Sequence, residues 1–148
     1  MSAFDPDYAS CAHTHVWLRV MHEILDLDEV TALLGVEPTY TQAAGDLATL
    51  KPGRKRRKPG WFLNSREHVS SLDSRHHVQW LLERISEKGP ALAELLSRGY
   101  LVDICCRWDS SWGDGGPTMD PGQMTQLGRL GVDFWFDVYF PQDQTPEA

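Results

Sequence analysis

Apolar and polar side chains alternate along three segments of the chain, residues 15–24, 100–108 and 132–140. A period of two residues is typical of a β-strand that buries one face and exposes the other. Two shorter extended segments are predicted at 37–40, which contains a proline, and at 61–65, where an apolar run follows a turn. The pattern therefore predicts five strands.

The last of these segments has the most regular alternation. One face carries Val132, Phe134, Phe136, Val138 and Phe140, and the other carries Asp133, Trp135, Asp137 and Tyr139. We therefore expect Phe134 and Phe136 in the core, with Trp135 and Tyr139 outside it.

Apolar residues recur at helical spacing between the strands. The longest predicted helix follows Asp73, a suitable N-cap, and its apolar stripe is Val78, Leu81, Leu82 and Ile85. Gly89-Pro90 interrupts this helix and starts a second segment, because proline is favoured in the first helical turn. Shorter helices are predicted after Asp26 or Asp28 and after Asp120.

The predicted order is β-α-β-β-α-β with an additional α-β. The first six elements follow the ferredoxin-like, or split βαβ, order. Strands with one polar face suit a mostly antiparallel sheet with helices on one face. We predict a single α+β domain over residues 13–140, between a flexible N-terminal arm at 1–12 and a flexible C-terminal tail at 141–148.

Composition restricts the class and location of the protein. The chain has 148 residues, of which 41% are hydrophobic and 24% charged, as expected for one folded domain. No apolar run reaches the ~18 to 20 residues of a membrane-spanning helix, and the first residues do not resemble a secretory signal. Three cysteines without a disulfide framework or a CxxC pair agree with a cytoplasmic protein. Without a long apolar run, no contact with a membrane is expected.

Charge is distributed unevenly along the chain. The net charge is −7, yet six of the fourteen basic residues lie between positions 51 and 58. The candidate basic loop comprises Arg54, Lys55, Arg56, Arg57 and Lys58. It could contact phosphates, but it lacks interleaved aromatic residues and the rest of the chain is acidic, so a nucleic-acid partner is not expected. A solvated loop and a contact with an acidic protein remain the alternatives.

The candidate catalytic and metal-binding residues are few. His13 and His15 form an H-x-H pair, but no closed set of further ligands is readable, so neither a metal nor another cofactor is predicted. Cys106 is expected in the core. Cys105 faces the other way, beside Asp103 and Arg107, with no base to activate its thiol. The loop from Asp109 to Gly116 has the glycines and aspartates of an ordinary turn, although a ligand could bind there.

Several short motifs together resemble a known family. They are Asp26–Thr39 (DLDEVTALLGVEPT), Gly45-Asp46, Gly60-Trp61, Arg98-Gly99-Tyr100, Asp103 with Cys105 and Cys106, the glycine-rich loop and the aromatic last strand. Over roughly residues 14–140 they resemble a bacterial family catalogued as domain of unknown function 4279. The resemblance implies a small bacterial cytoplasmic protein and assigns no catalytic residue. The basic run departs from the pattern, so any role for it would be particular to this protein.

The outer sheet face is the main candidate for function. If the alternating strands pair, it carries Trp17, Arg19, Asp103, Cys105, Arg107, Asp133, Trp135, Asp137 and Tyr139. Tryptophan, tyrosine and arginine are enriched at interfaces. We therefore expect a non-catalytic protein-binding domain, and an immunity protein that neutralises a bacterial toxin is the specific version. The alternative is a small-ligand-binding domain or enzyme that uses His15, Asp109, Asp114 and the glycine loop.

Overall fold

The computed structural model describes residues 3–43 and 58–141. Within these ranges the elements are, in chain order, β1 (Cys11–Met21), α1 (Leu27–Leu34), β2 (Tyr40–Gln42), β3 (Gly60–Asn64), α2 (Ser74–Ile85), α3 (Gly89–Ser97), β4 (Leu101–Ser110), α4 (Pro121–Leu130) and β5 (Asp133–Tyr139).

The strands form one five-stranded sheet in the order β2-β3-β1-β4-β5. β1 lies in the centre and pairs antiparallel with β3 and β4, while β2 pairs antiparallel with β3. β3 therefore lies between β1 and β2, which is the interleaving that a split βαβ order requires. β5 runs parallel to β4, because α4 carries the chain back across the sheet between them. The predicted α+β class with a mostly antiparallel sheet is confirmed.

The core lies between the helices and one face of the sheet, which we call the inner face. Val16, Leu18 and Val20 of β1 are fully buried there. They form one cluster with the α2 stripe, in which Leu81 and Ile85 are also fully buried, as the helical spacing predicted. α2 packs on β1 and α4, and α3 packs on α1, α4 and β4.

Aspartates begin three of the helices. The side chain of Asp26 accepts a hydrogen bond from the Glu29 amide in α1. Asp120 accepts one from the Gln123 amide in α4, and Asp73 plays the same part in α2. These caps satisfy backbone N–H groups that have no partner inside the helix, so the predicted helix starts are confirmed.

Residues before β1 contact the body of the domain. The strand begins at Cys11, four residues before the predicted start of alternation. The Asp5 amide donates to Asp73 Oδ2 at 2.7 Å, and the Tyr8 hydroxyl donates to the Gly116 carbonyl at 2.6 Å. The segment predicted as an N-terminal arm is thus tied to α2 and to the loop after β4.

The position of Phe136 differs from the sequence prediction. Phe136, Val138 and Phe140 are 40%, 41% and 43% exposed, whereas Phe134 is half-buried against the core. β5 is the last strand of the described sheet, and α4 packs chiefly on α2 and α3 instead of along β5. The prediction that Phe136 lies in the core is therefore wrong, although its alternation with Trp135 is correct.

Candidate functional site

Strand register brings the predicted face residues together on the side of the sheet opposite the helices, the outer face. Aligned rows run across β1, β4 and β5: Arg19, Asp103 and Asp133; Trp17, Cys105 and Trp135; His15, Arg107 and Asp137; His13, Asp109 and Tyr139. None of these side chains belongs to the core cluster. The prediction that the candidate residues share one face therefore agrees with the register.

Arg19 connects the three strands of this face. Its guanidinium donates to both carboxylate oxygens of Asp103, with nitrogen–oxygen distances of 2.7 and 2.8 Å. The same guanidinium carbon lies 5.0 Å from the centre of the Trp135 ring. The hydrogen bonds from Arg19 to Asp103 raise the pKa of Arg19, so the positive charge beneath Trp135 persists at any physiological pH.

A second arginine supports Tyr139. The Arg107 guanidinium donates to the two oxygens of Asp109 at 2.9 and 3.3 Å and lies 3.9 Å from the Tyr139 ring centre. The Tyr139 hydroxyl donates to Asp137 at 3.1 Å, and this hydrogen bond raises the pKa of Tyr139. Trp135 and Tyr139 are thus held in place while 38% and 40% exposed.

An aromatic row continues the face towards the other edge of the sheet. Trp17 lies 5.7 Å from Phe62, and Phe62 stacks on Tyr40 at 5.8 Å, as measured between ring centres. Sequence reasoning missed Phe62 because four of the five residues of β3 are buried and show no alternation. Gly60 makes room for the ring, since a Cβ at that position would overlap the Phe62 side chain.

The two histidines of the H-x-H pair form a hydrogen bond with each other. His13 Nε2 and His15 Nδ1 are 2.8 Å apart, so one nitrogen donates to the other. Burial, and then the positive charge of His13, lowers the pKa of His15 to about 4. Across residues 3–43 and 58–141, no group of three or more His, Cys, Asp or Glu side chains is arranged to hold a metal ion.

The cysteines are not arranged as nucleophiles. Cys11, Cys105 and Cys106 are free and buried. Burial raises the pKa of Cys106 to about 12, and burial also raises the pKa of Cys105. A reactive thiol needs the opposite shift.

Polar groups in the loop from Asp109 to Gly116 form hydrogen bonds with one another. The Ser110 hydroxyl donates to the Asp114 carbonyl and accepts from the Gly113 amide, both at 2.8 Å. Gly115 has a φ of 77°, and a Cβ there would collide with Ser10. The Asp109 carboxylate already binds Arg107. The loop thus brings no catalytic constellation together with His15.

A Ser–His pair escaped sequence reasoning because its members lie on different elements. His77 Nε2 donates to the Ser71 carbonyl at 2.7 Å, so Nδ1 accepts from the Ser65 hydroxyl at 2.6 Å. Ser65 Oγ in turn accepts from the Val16 amide. Ser65 and His77 are 0% and 1% exposed, so no substrate reaches them and the pair links α2 to the sheet.

Most of the candidate basic loop, Arg54 to Arg57, lies outside the described residues. Lys58 is exposed, and its carbonyl accepts a hydrogen bond from Gln42 at 2.6 Å. This contact closes the end of the β2–β3 pair.

The described residues define a class, an α+β domain in which the helices form a common core with one face of a five-stranded sheet. Residues 12–141 match the model of a family described as Domain of unknown function (DUF4279), and the chain belongs to that family. Neither the curated proteins nor the solved structures contain a significant match. In the described part of the chain, no helix is long and apolar enough to cross a membrane.

Proposed function

We propose that this protein is a non-catalytic protein-binding domain that docks its partner along β5. The observation that carries the proposal is the exposure of β5 on both faces. Trp135 and Tyr139 project from the outer face, and Phe136, Val138 and Phe140 follow the inner side, each 38–43% exposed. Large exposed side chains on both sides of one sheet edge are typical of an interaction site.

The free edge of β5 is suited to recognition of a partner by strand addition. Within the described sheet β5 pairs with β4 on one side only, which leaves main-chain N–H and C=O groups on the other side for an added strand. The opposite edge differs, since β2 has only three residues. Short edge strands are protected against pairing, whereas a seven-residue edge strand with five aromatic or apolar residues is less so.

The charges of β5 indicate what the partner strand carries. β5 contains Asp133 and Asp137 and no lysine or arginine, so a second copy of the strand would form no opposite-charge pair in any register. A basic strand from another protein would form such pairs. We therefore propose an extended segment of a different protein, with basic residues alternating with apolar ones, as the occupant.

An immunity-type role, in which the domain neutralises a basic bacterial toxin, is the specific version of this proposal. A cytoplasmic location in a bacterium belongs to it. The net charge of −7 would attract such a partner. The three buried thiols fit a reducing compartment.

A site-specific cross-linking experiment tests the proposal. A photo-crosslinking amino acid replaces Phe136 in one variant and Tyr40, which is 56% exposed on β2 at the opposite end of the sheet order, in the control. We expect a partner protein cross-linked from position 136 and not from 40. For the purified pair, Asp133→Lys with Asp137→Lys should weaken binding at least tenfold and reverse its dependence on salt. Cross-links that are the same from both positions, or only to a second copy of this chain, would overturn the proposal.

A further inference from the structure

A cleft opens at the end of the sheet opposite β5, where β2 and β3 meet the second half of α2. Its volume is about 720 Å³, within the range of small-molecule sites. Aromatic rings of Trp17, Tyr40, Phe62 and Trp80 line it together with the guanidinium groups of Arg66 and Arg84.

One aromatic surface of the cleft is open for stacking. Tyr40 and Phe62 are nearly parallel, with an interplanar angle of 21°, so Phe62 covers one face of the Tyr40 ring. Tyr40 is nevertheless 56% exposed, so much of its ring remains open to solvent. Phe62 itself is 6% exposed and contacts Trp17, which fixes the base of the stack. A planar group can therefore add to this stack on Tyr40 at little conformational cost.

The arginines of the cleft differ from most others in the described part of the chain. Four arginines there form ion pairs with carboxylates: Arg19, Arg75, Arg98 and Arg107. Arg66 and Arg84 form none in that part of the chain, although the protein is acidic overall. Arg84 is nevertheless ordered, because Nη1 donates to the Trp80 carbonyl at 2.6 Å and the guanidinium lies 4.0 Å from the centre of the Trp80 ring.

The position of the charges decides which ligand charge the cleft favours. Glu37, Glu67 and Arg66 line the cleft as exposed side chains. Arg84 is half-buried. A half-buried charge is less screened by solvent than an exposed one, so the inner part of the cleft favours an anion. The remaining N–H groups of a guanidinium suit the oxygens of a carboxylate or a phosphate.

We propose that this cleft binds a small organic anion built on a planar ring. The ring stacks on Tyr40, and the anionic group binds Arg84 with Arg66 at the mouth of the cleft. The site is separate from the proposed docking strand, because β2 and β5 are opposite ends of the sheet order.

Calorimetric titration with four probes tests this site. Naphthalene-2-carboxylate and adenosine 5′-monophosphate supply the two anionic groups, adenosine supplies a ring without charge, and benzyltrimethylammonium supplies a ring with a positive charge. We expect at least one anion to bind, at least tenfold more tightly than either of the other two probes. The anion that binds shows whether the anionic group of the ligand is an aryl carboxylate or a phosphate on a ring compound.

Matched arginine variants locate the binding. Arg84→Gln and, independently, Arg66→Gln should each weaken binding of the anion severalfold to tenfold. Arg129→Gln should leave it unchanged, because Arg129 is an exposed arginine on α4, outside the cleft. Glu67→Gln should leave binding equal or tighten it. The proposal is overturned if neither anion binds at millimolar concentration, if the ammonium probe binds as tightly, or if Arg129→Gln weakens binding as much as Arg66→Gln does.

Discussion

Arg19 and Asp103 face each other directly across β1 and β4, and two guanidinium nitrogens meet two carboxylate oxygens at 2.7 and 2.8 Å. Their side chains are 22% and 24% exposed. The pair is therefore partly shielded from water, and it orients Trp135 on the next strand through the Arg19 guanidinium. The ion pair between Arg19 and Asp103 thus helps to fix the orientation of the exposed Trp135 ring.

A double-mutant cycle should show coupling between these two side chains. We expect Arg19→Gln and Asp103→Asn to be coupled by about 1 kcal/mol in the free energy of unfolding, since the geometry is bidentate and the pair is partly shielded. Urea denaturation of the four proteins measures this. The Arg107–Asp109 pair is the comparison, and it should give a smaller value because its arginine side chain is 37% exposed. A coupling near zero for Arg19 and Asp103 would contradict this account.

Phe136 should behave as a surface residue. We expect Phe136→Ala to lower the free energy of unfolding by roughly 1 kcal/mol, similar to Trp135→Ala, because both rings are about two-fifths exposed. Leu81→Ala, at a fully buried position, should cost ~2 to 5 kcal/mol. Thermal or urea unfolding compares the three variants. A Phe136→Ala cost equal to that of Leu81→Ala would mean that something covers β5.

Asp73 should be among the most sensitive polar positions. It is fully buried, caps α2, and accepts hydrogen bonds from the Asp5 amide and from the Arg75 guanidinium. Asp73→Ala leaves the buried Arg75 charge without its partner, so we expect a loss of ~3 to 5 kcal/mol. Asp26→Ala removes a helix cap on the surface and should cost only about 1 kcal/mol. Chemical denaturation distinguishes them, and equal costs would argue against a buried pair.

Stability should fall as the pH decreases from about 6.5 towards 4. Burial lowers the folded-state pKa of His77, and it lowers that of His15 from the ordinary value of 6.5 to about 4. The unfolded chain then binds protons more readily than the folded one, so the stabilisation is complete above pH 6.5 and is lost below it. For His15 the effect is at most about 3 kcal/mol.

Denaturation curves recorded between pH 7 and pH 4 check this sign. His15→Gln should flatten the dependence on pH, whereas His68→Gln, which changes an exposed histidine, should not. The Asp73 carboxyl acts at lower pH: although burial opposes the shift, hydrogen bonds from Arg75 hold its pKa below the usual 3.8. The stability that the Asp73 carboxylate contributes is therefore lost only at a pH below the range in which the histidines act. Stability that increases on acidification from pH 6.5 to 4 would refute the histidine account.

Local patterns in the sequence determined the elements and the orientation of most side chains. The period-two alternation of β1, β4 and β5 was sufficient to group Trp17, Arg107 and Trp135 on one face. The aspartate caps of the helices were equally readable, because a side chain that binds a backbone amide two or three residues away needs no distant partner.

Only the tertiary structure decided what covers each face. The same alternation that placed Phe136 opposite Trp135 could not show that Phe136 stays 40% exposed, because burial depends on elements that are distant in sequence. The orientation of Phe62 required its pairing with β1, since the β3 run is apolar on both sides. The cleft depends on the same level of structure: Tyr40 and Arg84 lie far apart in the chain, and only the packing of α2 against the sheet brings them to one cavity.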